Sequence, residues 1–376
     1  MHRLTGLLGA LLCLAASLTA SGAPLRTRNV VLIVADGLRW QEVFTGADPL
    51  LLDDPQAGGS WTAVGELRER YWREDPRERR RLLLPFLWGT IAARGQLFGN
   101  RPAGSRVEVT NGVRISYPGY NEMLTGSADP RIDRNEFGPN PNVTVFEWLN
   151  NAADLHGKVD VFATWYAFAD IFNQARSGLP VRAGAALVER ADTSVRGRLL
   201  AELYDDSTRL YGSNPFDSFV HVALREHLKA HHPRVLFVGY GDTDLWAHVG
   251  RYDLVLYTAH RFDRYVGELW RQLQALPQYR DQTTFILTAD HGRGSGPLDW
   301  KEHGVAQAGS EQIWLAVIGP DTPPLGERRN TAPLTQGQIA ATVATLLGRD
   351  FRAFRPGAAP PLAGVLVAPA GAAARK

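Results

Sequence analysis

The sequence predicts an α/β fold: a doubly wound, mostly parallel sheet flanked by helices, with a small cap insertion. Three observations predict it. Short apolar runs without polar alternation recur along the chain, as in strands buried on both faces. Amphipathic segments of helical period lie between them. The runs also end at once in aspartate or histidine, as where strand ends open into a ligand site beyond the carboxyl edge of a sheet.

Asn29 to Ala35 reads as the first buried strand, with Val30 to Val34 at its centre, and it ends at Asp36-Gly37. Val159 to Ala163 reads as another. Val235 to Tyr240 ends at Asp242 and Asp244, and Thr283 to Thr288 ends at Asp290-His291-Gly292. Ile313 to Ile318 completes the set. The clearest helix spans about Leu254 to Leu273, with Val255, Ala259, Phe262, Val266, Leu269 and Leu273 at helical spacing. Another runs from about Thr335 to Leu347 through Ile339, Val343 and Leu346.

The segment from about Pro49 to Glu78 has few periodic apolar positions and reads as an insertion or cap within a catalytic domain over 24–352. Beyond Arg352 the chain turns rich in Pro, Ala and Gly, and a largely disordered tail is expected over 353–376.

The length of 376 residues is enough for one large α/β domain. Lys and Arg total 41 against 39 Asp and Glu, so the charge balance gives no electrostatic case for a nucleic-acid partner. A cluster from Arg77 to Arg81 around Glu78 reads as a solvated helix face. Met1-His2-Arg3, the apolar run from Leu4 to about Ala20, and the small residues Ala20 to Ala23 read as a signal peptide over 1–23. The run is short for an anchor and is interrupted by Gly6 and Gly9. A periplasmic or secreted protein with no stable membrane span after cleavage is therefore expected. The single cysteine, Cys13, lies in that peptide. The processed chain would have no thiolate, so any metal must be held by His, Asp and Glu.

Asp36, Asp244, His248, Asp290, His291 and His303 are the candidate ligands. The four-residue step from Asp244 to His248 puts both on one face of a helical turn. Asp290 and His291 stand at a strand tip, and His303 follows twelve residues after His291 across a glycine-rich loop. Three carboxylates and three imidazoles gathered at one sheet edge would repel or desolvate one another without a cation. A pair of divalent ions accounts for the set, and mixed histidine and carboxylate donors favour zinc. His156, His221, His227, His231, His232 and His260 read as structural or exposed. Trp165-Tyr166-Ala167-Phe168 reads as the end of a core strand more than as a pocket wall.

Five local motifs, in this order, resemble the alkaline phosphatase superfamily. The closest likeness is to its nucleotide pyrophosphatase/phosphodiesterase and related exported phosphatase branch. They are Val34-Ala35-Asp36-Gly37-Leu38, the stretch from Ser116-Tyr117-Pro118 to Thr125-Gly126, Asp244-Leu245-Trp246-Ala247-His248, Thr288-Ala289-Asp290-His291-Gly292 and Lys301-Glu302-His303-Gly304. The resemblance implies one metal on Asp244, His248 and His303. It implies another on Asp36, Asp290 and His291, with the oxygen of Ser116 as a further ligand. Ser116 falls where the family has its nucleophile, so the implied activity is hydrolysis of a small-molecule phosphate ester through a covalent phosphoserine. The helix expected after Ser116 would add an N-terminus able to bind phosphate oxygens.

Two departures stand out. Gly119-Tyr120 follow the proline where the family often has Asn-His, and the asparagine expected after the Thr-Gly pair has Asn135 as its nearest candidate, ahead of Asn140 and Asn142. Sulfatases share the fold implied, but their signature wants an arginine where Tyr120 stands. A non-catalytic metal-binding protein on the same fold is the other alternative, and none of the six ligands is missing.

Overall fold

A computed structural model describes residues 25–58, 64–189 and 194–366; the expected signal peptide lies outside the described residues. In chain order the strands are β1 (Asn29–Ala35), β2 (Gln96–Phe98), β3 (Val107–Glu108), β4 (Val159–Ala163), β5 (Val181–Ala183) and β6 (Val235–Tyr240). They continue with β7 (Thr283–Thr288), β8 (Gln312–Ile313), β9 (Leu315–Ile318), β10 (Gly326–Glu327) and β11 (Leu334–Thr335). Eight of them form the main sheet in the order β10-β2-β9-β7-β1-β6-β4-β5, and β11-β3-β8 form a small second sheet. The chain thus has the α/β fold with a mostly parallel sheet that the sequence predicts.

The centre of the main sheet is parallel and dry. Every residue of β1, β4, β6 and β7 is buried, which is why these strands read as unbroken apolar runs. β1 pairs in parallel with β6 (Ala35 beside Tyr240) and with β7 (Val34 beside Thr288), so three strand ends finish level at one edge. The helix Tyr252–Ala275 covers one face with its periodic stripe buried. The expected strand from Ile313 to Ile318 is two strands. β8 belongs to the small sheet and β9 runs antiparallel to β7, with Trp314 at the crossing and its indole N–H donated to the Leu38 carbonyl. The last expected helix is shorter than its apolar period, Gln338–Leu346, because Thr335 pairs in β11.

Three further expectations change. The insertion forms the helices Pro49–Asp53, Pro55–Gly58 and Val64–Tyr71. It braces the loop before His303, through Trp300 Nε1 to the Ala57 carbonyl at 2.8 Å and Lys301 Nζ to the Gln56 carbonyl at 3.4 Å, and none of its described residues lines the cavity found below. Within the arginine cluster, Arg77 and Arg81 are exposed, but Arg79 and Arg80 are buried against Trp72 and Trp88. Arg80 also pairs with Glu327 at 3.1 Å. The region expected to be a disordered tail is packed as far as residue 366: Leu362 and Val365 are buried, and the Gln96 side chain donates to the Gly364 carbonyl at 2.8 Å. Composition misleads there because a few apolar residues find a groove on the finished fold.

Candidate metal centre and nucleophile

The turn after β1 carries Asp36 and Gly37. Gly37 has φ +58°, a left-handed conformation suited to glycine, and its amide donates to Asp290 Oδ1 at 3.1 Å. Asp36 Oδ2 accepts from the Tyr120 hydroxyl at 3.0 Å. Asp290 follows β7, and Gln336 Nε2 donates to its carbonyl at 2.8 Å. The remaining carboxylate oxygens, Asp36 Oδ1 and Asp290 Oδ2, are buried without a well-formed hydrogen bond, and both stand 3.4 Å from His291 Nε2.

The other ligand candidates come from a short helix and a loop. Asp242–His248 is helical, which brings Asp244 Oδ2 to 3.4 Å from His248 Nε2. His303 Nε2 lies 3.0 Å from His248 Nε2 and 3.7 Å from Asp244 Oδ1. Asp244, His291 and His303 form one group with ligand atoms all within 4.8 Å of one another; Asp36, Asp290 and His291 form a second.

The three imidazoles are oriented alike. His291 Nδ1 donates to the Gly292 carbonyl at 2.9 Å, His303 Nδ1 faces the Arg114 carbonyl at 3.4 Å, and His248 Nδ1 faces Glu302 at 3.6 Å. Each ring therefore turns Nε2 inward, the arrangement by which an outer partner sets a metal-binding tautomer. Two nitrogens 3.0 Å apart also suit adjacent ligands of one tetrahedral ion, whose edges are about 3.3 Å for zinc–nitrogen bonds. Unsatisfied buried carboxylate oxygens and inward nitrogen lone pairs make a donor set that fits two divalent cations.

Electrostatics say the same. Burial, then the neighbouring Asp36, pushes the Asp290 carboxyl well above its usual range. Burial opposes charge on His291, but Asp290 and Asp36 outweigh it and raise the imidazole to about 9. Burial, then the charge of His291, lowers His303 to about 2. Burial would raise Asp244, but the Arg293 guanidinium and the histidines hold it well below the usual carboxylate range. A cluster whose members push one another this far is what a shared cation relieves.

Ser116 is the first residue of the helix Ser116–Thr125, every residue of which is buried, and its Oγ lies 3.3 Å from His291 Nε2. Gly119 brings this helix against β7's end, since a Cβ there would sit 2.4 Å from the Asp290 carbonyl oxygen. That explains why Gly119 stands where a larger residue was expected. The helix N-terminus offers less than the sequence suggests: Pro118 has no N–H and the Tyr117 amide donates to Asn135 Oδ1 at 3.0 Å, which leaves the Ser116 amide. Of the three candidate asparagines, Asn135 lines the cavity beside Ser116; Asn140 and Asn142 donate instead to Asn121 Oδ1, each at 3.2 Å, within the core.

That cavity measures about 520 Å³, and Asp36, Ser116, Asp244, His248 and His303 line it. Trp165, Tyr166, Tyr211, Asn214 and Phe216 supply a largely aromatic part of its wall. The aromatic stretch thus divides: Trp165 and Tyr166 face the cavity, while Phe168 packs in the core against Phe237 at 5.1 Å between ring centroids. Among the other histidines, His221 bonds Tyr240 and Glu268, His227 bonds Asp160, and His260 bonds the Leu83 carbonyl. Sequence reasoning missed Tyr120, Arg293, Gln336 and the 210–216 wall. Arg293 alone had a signal, two residues past His291.

No protein-family model matches the chain, and no protein of curated function does. Solved structures do match in fold. The alkaline phosphatase PafA has a TM-score of 0.52 at 13% identity, covering 92% of this chain and 100% of PafA. The lipoteichoic acid synthase LtaP from Listeria monocytogenes has 0.54 at 11% identity, over 86% of this chain and 72% of LtaP. The phosphonate monoester hydrolase SpPMH from Silicibacter pomeroyi has 0.51 at 14% identity, over 89% of this chain and 78% of that enzyme. At these identities the likeness is one of fold.

Proposed function

We propose that this chain is a metal-dependent phosphoric ester hydrolase of the alkaline phosphatase superfamily, acting through a covalent intermediate on Ser116. The observation that carries the reading is the clustering of six ligand-type side chains, two with orphaned buried oxygens, beside a cavity lined by four of them and by Ser116. Asp244, His248 and His303 would hold one divalent ion and Asp36, Asp290 and His291 another, zinc by donor type. When bound, the ions supply Lewis acidity to the serine and leaving-group oxygens.

The chain's own residues then have distinct tasks. Ser116 Oγ attacks phosphorus in line, the bond to the leaving alcohol breaks, and the alcohol departs with a proton; water then hydrolyses the phosphoserine and restores the serine. The Ser116 amide and the Asn135 side-chain amide are the donors available to non-bridging oxygens, the latter because its carbonyl is already taken by Tyr117. No Lys or Arg lines the cavity among the described residues. Beyond the two ions, no cationic side chain among the described lining residues would meet a second phosphate charge, so a monoanionic diester matches the site better than a dianionic monoester. The aromatic wall offers apolar surface to the second ester substituent.

The amino-terminal segment supports export to the periplasm or beyond. No described helix is long and apolar enough to cross a membrane. The test is hydrolysis of a chromogenic phosphodiester, phosphomonoester and sulfate ester by the purified protein, with zinc or with chelator. Diester cleavage that chelator abolishes, and that falls by on the order of 10³-fold or more in Ser116→Ala, is expected. Preference for the sulfate ester, or undiminished turnover in Ser116→Ala, would overturn the reading.

A further inference from the structure

We infer that Arg293 is a positioning residue that sets the spacing of the metal ligands by joining the segments that deliver them. The inference rests on the two-metal reading of the site. The Arg293 side chain is 1% exposed. Nη2 bonds the Asp244 carboxylate and, at 3.2 Å, the Asp244 carbonyl. Nη1 donates to the Lys301 carbonyl at 2.6 Å, two residues before His303. Nε lies over Gly37, where a Cβ would come within 2.8 Å of both Nε and Asp244 Oδ1. Its own backbone continues directly from Asp290 and His291. One planar group therefore touches the turn after Asp36, the first turn of the helix bearing Asp244 and His248, and the loop leading to His303.

Burying a guanidinium needs a compensating role. Substrate binding is not that role, because Arg293 does not line the cavity. Pairing with Asp244 alone would not explain the bond to Lys301 or the close seat on Gly37. A rigid fork spanning three segments does explain both, and lysine, whose three donors radiate from one nitrogen, cannot reproduce it. Outer partners of this kind support metal affinity about 10–100-fold.

The experiment titrates zinc into metal-free wild type, Arg293→Lys and Arg293→Met against a chromophoric chelator, with near-UV circular dichroism reporting the fold of each. Wild type is expected to bind two zinc ions. Folded Arg293→Lys is expected to lose about 10–100-fold in affinity at the weaker site despite its retained charge, and to regain turnover as zinc is raised. Should Arg293→Met not fold, Arg293→Lys carries the test. Two sites of wild-type affinity in a folded variant overturn the inference, and so does failure of both variants to fold, which makes Arg293 a residue of the fold alone. Failure of wild type to bind zinc is a separate result and overturns the two-metal reading instead.

Discussion

The two halves of the candidate ligand cluster are held differently. Asp36, Asp290 and His291 sit on the ends of central parallel strands, are buried, and are fixed by Gly37, Tyr120, Gly292 and Gln336. Asp244 and His248 ride on a short helix, with side chains 19% and 27% exposed, and His303 sits on a loop braced by the insertion. The inner half is preorganised by the sheet; the outer half depends on contacts between segments distant in sequence. Burial strengthens every charge interaction within the inner half, whereas the outer half is partly exposed and lines the cavity.

That contrast predicts unequal losses on ligand removal. His291 is a buried ligand of the inner ion in this reading, so His291→Ala should remove that tightly held zinc and reduce turnover by on the order of 10³-fold or more. His248→Ala should retain one tightly bound zinc. Zinc content after dialysis separates the two, and equal losses would mean the halves are not distinct.

Acidity should expose the inner half next. In the metal-free protein His291 is raised from 6.5 to about 9, so its protonated form stabilises the fold. That contribution is complete below the unfolded value and is lost as pH rises through about 9. Metal binding needs the neutral ring, so zinc affinity should rise with pH by up to about tenfold per unit until near 9, with proton release on binding. Titrations at several pH values in two buffers of different ionisation heat check this; affinity that is flat above pH 7 would contradict it.

The smallest effect is expected from Tyr120→Phe. Burial, then Asp290 and Asp36, keeps this hydroxyl protonated, and it donates to Asp36. Its loss should weaken the inner zinc site by about tenfold while leaving the outer site unchanged, as competition titration would show. A larger loss at the outer site would reverse the comparison.

Much of the fold was legible because buried parallel strands are written as unbroken apolar runs. β1, β4, β6 and β7 match their expected limits residue for residue. Five of the six candidate donors stood out for a related reason, since they follow a strand end or sit at helical spacing from one another; His303, on a loop, stood out only through the motif from Lys301 to Gly304. Ile313 to Ile318 was misread as one strand because the switch between two sheets at Trp314 leaves no break in hydrophobicity. Arg79, Arg80 and the packed segment up to 366 were misread because burial of a charged or small residue depends on what distant segments provide.

The sequence by itself determined the alternation of strands and helices and the kinds of donor that reach the sheet edge, since both follow from local spacing. Only the tertiary structure decided that Asn135 rather than Asn140 or Asn142 faces the cavity, that Tyr120 bonds Asp36, and that Arg293 bridges the ligand segments. Those facts join residues far apart in the chain, and local periodicity carries no information about which distant segment will stand opposite.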